Sequence, residues 1–268
     1  MTDYLQLGSK KIEIQWHHNL QNNQDGQKGR PALIFLHEGL GCTRLWKDFP
    51  EKLSKKTGCP ALVFSRFGYG KSDASPLPWK INFMHDQALK TLPEIIAQAQ
   101  IKQYILIGHS DGGSIGIIFS GSPGIKKLKG LKGLITEAAH VFCEKITVDC
   151  IKLAKTNYEH HNLKLKLEKY HGTNCDNAFY GWNDIWLNPK FMYWNIEKYL
   201  NKIKVPMLAI QGKDDQYGTK KQIASIKHRV NKIETHTLNH CRHSPHSDQQ
   251  EIVLNLMAQF IHKIIKGK

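Results

Sequence analysis

The chain has no apolar run approaching the roughly 18 residues that a membrane-crossing helix needs. Its opening residues, MTDYLQLGSKK, lack a basic segment followed by an apolar one, so no secretory leader is read there and a cytoplasmic protein is expected. The six cysteines, at 42, 59, 143, 150, 175 and 241, contain no CxxC pair and read as reduced thiols. No internal repeat or low-complexity tract interrupts the sequence. Helix-turn-helix, zinc-finger and RNP signatures are missing and the basic runs lack interleaved aromatics, so nucleic acid is not an expected partner. Acidic residues are in short supply: 23 Asp and Glu stand against 38 Lys and Arg, a net charge of +15 with neutral histidines. The excess concentrates in residues 126–132 (KKLKGLK), 164–169 (KLKLEK) and 220–229 (KKQIASIKHR). Such runs suit the docking of an acidic partner, because a basic field speeds encounter with anions. Lysine runs more often only solvate a face.

What is present is a chain of 268 residues with 40% hydrophobic residues, enough for a sizeable core and suited to one large α/β domain or two small ones. Residues 4–8 and 11–17 alternate in polarity and read as a hairpin. Residues 23–31 (NQDGQKGRP) read as a polar turn. Residues 32–37 form a continuous apolar run of buried-strand type, and 60–65, 104–108, 133–139, 207–212 and 233–239 also read as strands. Helical patterns cover 43–56, with Pro50 as a candidate kink, then 83–99, the segment after Ser110, and 251–266. Strands alternating with helices predict a mostly parallel sheet covered on both faces. Residues 141–200 break the rhythm: they are rich in aromatics and carry no strand of the same kind. An insertion of that length reads as a helical lid over a core made of residues 1–140 and 201–268. Phe142, Trp182 and Trp186 are candidate pocket walls because they sit in that insertion, although packing is the commoner role for such residues.

Chemistry enters at residues 104–118, YILIGHSDGGSIGII. An apolar strand ends in Gly-x-Ser-x-Gly and runs straight into an apolar helix, the pattern of a nucleophile elbow. Gly108 and Gly112 leave room for strand and helix to approach. Ser110 then stands above the sheet edge at the positive end of the helix, and the N–H of Asp111 points where a carbonyl oxygen would gain charge. A serine needs a base, and the base an orienting acid, in the chain order Ser, acid, His. KDDQYG after the 207–212 strand offers Asp215, with Asp214 as the lesser choice. HCRHSPH after the 233–239 strand offers His243, with His240 as runner-up. His236, His240, Cys241, His243 and His246 also suggest zinc, but no second ligand cluster has matching spacing. The second oxyanion donor should come from HEGLGCTRLW (37–46), from Gly39 first and Leu40 second.

The segments FLHEGLG, SRFGYGKSD, GHSDGGSIG, IQGKDDQYG and CRHSPH, in that order, resemble the α/β-hydrolase fold superfamily. The resemblance implies an α/β, mostly parallel eight-stranded sheet flanked by helices, with a helical cap after the sixth strand. It further implies Ser110 as nucleophile, Asp215 as acid, His243 as base and an oxyanion hole from Gly39 and Asp111, with Leu40, Phe142, Trp182 and Trp186 as candidate substrate contacts. Two residues depart from the usual pattern: Glu38 stands where a glycine is usual, and Arg242 where one is frequent. Glu38 either narrows the acyl pocket or faces away. A capped serine esterase acting on a small-molecule ester of a small or medium acyl group follows as the expected activity, needing neither metal nor organic cofactor. The same triad also resembles those of esterases that use an acidic carrier protein, for which lysines 164, 166 and 169 would suit the partner. It resembles those of carbon–carbon bond hydrolases, cofactor-free haloperoxidases and small-acid lyases too. A ligand-binding module on the same fold is the non-enzymatic alternative.

Overall fold

A computed structural model describes residues 3–17, 29–124 and 129–267; residues 23–28 of the expected polar turn and 126–128 of the first basic run lie outside the described residues. A hairpin opens the chain, β1 (Asp3–Leu7) and β2 (Lys10–His17), turning at Gly8 with a φ of 58°. Then come β3 (Ala32–Leu36), α1 (Phe49–Thr57), β4 (Ala61–Phe64), α2 (Phe83–Asp86) and α3 (Leu92–Gln98). The elbow region follows as β5 (Tyr104–His109) and α4 (Asp111–Ser120), and then β6 (Leu131–Glu137). Between β6 and β7 the chain is helical: α5 (Lys145–His160), α6 (Leu163–His171), α7 (Cys175–Trp186) and α8 (Glu197–Leu200). The last elements are β7 (Met207–Gly212), α9 (Lys220–Arg229), β8 (Ile233–Leu238), α10 (Pro245–Asp248) and α11 (Gln250–Ile265).

All eight strands form one sheet in the order β1-β2-β4-β3-β5-β6-β7-β8. The pairs β1–β2 and β2–β4 are antiparallel and all later pairs parallel. β3 and β4 are apolar at every position, and β5 up to its final His109, because both faces are covered. Leu33, Phe35, Ile105, Ile107 and Ile135 face Phe49 and Leu53 of α1 and Val253, Met257 and Phe260 of α11. Ile34, Leu36, Leu106 and Leu134 point the other way, into a core with α2, α3, α4 and the helices that follow β6. Each such side chain taken out of water contributes about 1.5–3 kcal/mol.

Two expected helices are built differently. Residues 43–56 divide into a 3₁₀ turn, Thr43–Trp46, and α1, so Pro50 falls in the first turn of a new helix instead of kinking an old one. Proline is at ease there because its missing N–H would have no partner in any case. Residues 83–99 are interrupted by a wide π turn over Gln87–Thr91 just ahead of Pro93, which has no N–H to close a regular turn. The sixth strand begins two residues before the expected 133 and ends at Glu137 instead of 139, which releases Ala138–Ala139 and His140 into the loop above it.

Strands β3 to β8 are all parallel, so the loops after β3, β5, β6, β7 and β8 gather at one edge of the sheet. The helices between β6 and β7 lie against that edge. Asn174 donates to the carbonyls of Gly70 (3.2 Å) and Ser72 (2.6 Å), and Thr147 Oγ1 donates to the Tyr217 carbonyl (2.5 Å). His171 of α6 accepts the Gly70 N–H at its Nδ1 (3.0 Å) and donates from Nε2 to the Leu40 carbonyl (2.9 Å). Lys164, one of the three lysines read as a docking element, pairs with Asp176 at 2.9 Å.

Candidate active site

Ser110 occupies the single residue between β5 and α4, with φ 52° and ψ −116°. That positive φ is strained for any residue with a Cβ, and the surroundings hold it. The Ser110 N–H donates to the Glu137 carbonyl at 2.8 Å, and the Ser110 carbonyl receives the Ser114 N–H at 3.0 Å. Glycine at 112 is a steric requirement: a Cβ there would overlap the backbone carbonyl of Leu36 on β3. Gly112→Ala is therefore expected to cost about 3 kcal/mol of stability, the upper end for overpacking, read as a lower urea midpoint. An unchanged midpoint would show that the elbow can shift to admit a methyl group.

His243, in the loop after β8, lies with its Nε2 2.9 Å from Ser110 Oγ and its Nδ1 2.8 Å from Asp215 Oδ1. An ionised carboxylate only accepts, so Nδ1 carries the proton and Nε2 keeps a lone pair aimed at the serine hydroxyl. The side chains are secluded: His243 is 11% exposed and Asp215 1%. Burial works against the Asp215 charge, but the hydrogen bond to His243, that group's charge and the Tyr217 N–H outweigh it, and its pKa lies below the usual carboxylate value. The Tyr217 and Gly218 N–H groups also donate to Oδ1, at 2.8 and 3.2 Å, fixing the carboxylate plane. Asp214 and His240, the lesser choices, are exposed. His246, another member of the histidine cluster, turns away to the buried carboxylate of Glu137, 2.8 Å from its Nδ1. The loop that carries His243 is tied down as well, since His109 Nε2 lies 2.7 Å from the His243 carbonyl.

Gly39, Leu40, Trp182 and Trp186 line a cavity of about 140 Å³ beside Ser110 and His243. The Trp182 indole fills the space that a Cβ on residue 39 would need. Among the described residues, the N–H groups of Gly39 and Asp111 have no hydrogen-bond partner, whereas that of Leu40 is taken by Glu38 Oε2 at 3.2 Å. This favours Gly39 over Leu40 as a donor to a ligand. Phe142 is not part of the cavity lining: its backbone bridges to Asn195, and its carbonyl accepts from Gln222 Nε2 at 3.0 Å. Its place in the insertion was the only reason to choose it, and its short pairing with Asn195 directs it elsewhere.

Several lining residues escaped the sequence reading. His140, in the loop after β6, has its ring 5.7 Å from that of His243, and burial lowers its pKa to about 3, so it is neutral. The Tyr217 ring lies 4.8 Å from that of His243 at a tilt of 49°, and Thr147 and Ile151 come from α5. His140 was detectable as a polar residue just past a buried strand at the functional edge; the others depend on how α5 and the β7 loop pack. The Asp111 side chain is buried with neither carboxylate oxygen hydrogen-bonded, and burial raises its pKa to about 6.

A sequence model of the α/β hydrolase fold matches residues 31–126. This chain has the α/β-hydrolase fold. The curated relative 2-succinyl-6-hydroxy-2,4-cyclohexadiene-1-carboxylate synthase of Salmonella agona is 29% identical over 115 residues, 43% of this chain and 41% of that protein. The chain thus matches about two fifths of the length of such relatives. Among solved structures, the enol-lactonase of Burkholderia xenovorans aligns over 97% of this chain and 100% of its own, with 14% identity and a TM-score of 0.74. An esterase from Thermogutta terrifontis aligns over 98% and 99%, with 15% identity and a TM-score of 0.71. At such identities the likeness is one of fold.

Proposed function

We propose that the protein is a serine hydrolase that cleaves a carboxylic ester of a small or medium acyl group, with Ser110 as nucleophile, His243 as base and Asp215 as the orienting acid. The observation that carries this reading is the continuous line from Asp215 through His243 to Ser110, with separations of 2.8 and 2.9 Å. As the Ser110 oxygen attacks the ester carbonyl, its proton passes to His243 Nε2, and the ionised Asp215 stabilises the imidazolium that results. The tetrahedral oxyanion accepts hydrogen bonds from the Gly39 and Asp111 N–H groups, each worth about 3 kcal/mol in the transition state. His243 returns the proton to the departing alcohol. Water then attacks the acyl-enzyme by the same route and releases the acid. Residues 141–200 act as the cap that closes the cavity over the acyl group, and the cavity's volume supports a compact substituent.

The lyase-type alternative draws on the curated relatives, whose named product is a carboxylate. A cavity that recognises a carboxylate calls for a lysine or arginine in its walls. Neither is found among the described residues lining this one. The direct test is labelling with a fluorophosphonate followed by peptide mass analysis. Modification of the Ser110 peptide, abolished by Ser110→Ala, is expected. An unlabelled, folded protein would count against an activated serine and turn attention to a ligand-binding role.

A further inference from the structure

The cavity beside Ser110 is charged opposite to the rest of the molecule. The chain carries +15, yet apart from histidines the one formally charged side chain among the described residues lining the cavity is Glu38. Its Oε2 accepts the Leu40 N–H, and among the described residues no hydrogen-bond or ion-pair partner reaches its other oxygen. Glu38 also lines an adjoining cavity of about 180 Å³, so its carboxylate stands between two open volumes and is not packed away. Two further carboxylates, Asp111 and Asp215, are buried alongside; the guanidinium of Arg66 is spent on the carbonyls of His37 and Glu38, and Lys47 lines the adjoining cavity but not this one. With Glu38 in its walls and neither lysine nor arginine among the described residues lining it, the cavity itself keeps a negative field. His140 does not offset it, being neutral. The remaining walls include the rings of Trp182, Trp186 and Tyr217.

A carboxylate together with several aromatic rings is the chemistry that stabilises an ammonium group removed from water. The acid supplies the opposite charge and the ring faces attract the cation. An anionic group would meet like charge, and a neutral apolar one would gain nothing from Glu38. We propose that the natural substrate is a cationic ester, with an ammonium or alkylammonium group held between Glu38 and the rings of Trp182, Trp186 and Tyr217. This rests on the serine-hydrolase reading and names the substrate class of the same site. Glu38 selects the substrate by contact and takes no part in bond making.

The test compares an ester whose acyl chain ends in trimethylammonium with its tert-butyl isostere, and the same pair built on the alcohol side. Each kcat/KM is divided by the uncatalysed rate. A preference of about 30-fold for the cation is expected in one of the pairs, in line with a desolvated cation–aromatic contact. In Glu38→Gln the cation-to-neutral ratio should fall at least about tenfold, and in Tyr217→Leu, on another wall, about threefold. Turnover of both members of each pair within about threefold of one another would overturn the inference and leave the hydrolase reading standing. A preference that survives Glu38→Gln would overturn it too. Should no ester be turned over, the hydrolase reading falls while the cation site is still read by binding. Tetramethylammonium should then alter tryptophan emission in the wild type and not in Glu38→Gln, and absence of binding to the wild type would overturn the site. If Glu38→Gln does not fold, the Tyr217→Leu ratio decides.

Discussion

Ser110→Ala is expected to lower kcat for a p-nitrophenyl ester by about a millionfold, because without the oxygen the serine–histidine pair ceases to act as a unit. His243→Ala should cost nearly as much, and the double variant little more than either single one, since each already abolishes covalent attack. Asp215→Asn should cost about ten-thousandfold: an amide in that place no longer requires the proton to sit on Nδ1, and the lone pair is lost from Nε2. KM should change little in all of them, as the cavity walls are untouched. Initial rates on p-nitrophenyl butyrate, with circular dichroism to confirm folding, give the readout. A folded Ser110→Ala protein that keeps a tenth of the wild-type rate would place the nucleophile elsewhere.

The second large effect is on stability. His37, His109 and His140 are all within 2% of full burial. Burial lowers the pKa of each: His37 well below its usual value, His109 to about 4 and His140 to about 3. Their hydrogen bonds fit neutral rings. Nε2 of His37 accepts the Arg66 N–H at 3.0 Å, and its Nδ1 lies 2.7 Å from the Glu38 carbonyl. The unfolded chain protonates these residues near pH 6.5, so their contribution is complete above that pH and is lost as the pH falls toward 4. Asp111 acts in the opposite sense, because its raised pKa lets the folded state take up a proton first, near pH 6. These three imidazoles favour the unfolded state and Asp111 the folded one, which leaves a slope of about 3 kcal/mol per pH unit between roughly pH 6 and 4.5, and the lowered pKa values of His85 and His171 steepen it. Over that window the loss comes to about 4 kcal/mol, a large share of a typical total of about 5–15 kcal/mol. Asp215 and Glu137, whose pKa values lie below the ordinary carboxylate range, extend the decline further into acid. Urea titrations followed by tryptophan emission at pH 6 and at pH 5 provide the measurement; equal midpoints would mean that the imidazoles are already protonated in the fold.

How far the sequence could be read follows from where the information sits. The β5 strand and the glycines around Ser110 are local: an apolar run, a forced turn and a helix start within fifteen residues. Asp215 and His243 are distant in sequence, but each follows an expected strand, and parallel strands bring their ends to one edge. The choice between Asp215 and Asp214 was a matter of loop geometry, and the structure exposes one and buries the other. Residues 43–56 carried an amphipathic pattern through a proline, and periodicity alone does not reveal that the chain restarts its helix there. Phe142 shows the limit most clearly. Its neighbourhood is decided by a short pairing with Asn195, more than fifty residues away, and no local pattern announces such a contact. Glu38 was visible as a departure from a glycine, but its orientation toward the cavity depends on tertiary packing.

The two ring nitrogens of His171 bear on any attempt to exchange parts of this protein. One accepts from Gly70 and the other donates to Leu40, so a single imidazole latches α6 to the loops after β3 and β4. A helical segment transplanted onto another scaffold would carry that imidazole into surroundings with neither partner and leave two polar atoms unsatisfied. A foreign segment placed here would orphan a backbone amide and a carbonyl beside the proposed oxyanion loop. For recombination, the roof and its two anchoring loops form one inheritable block.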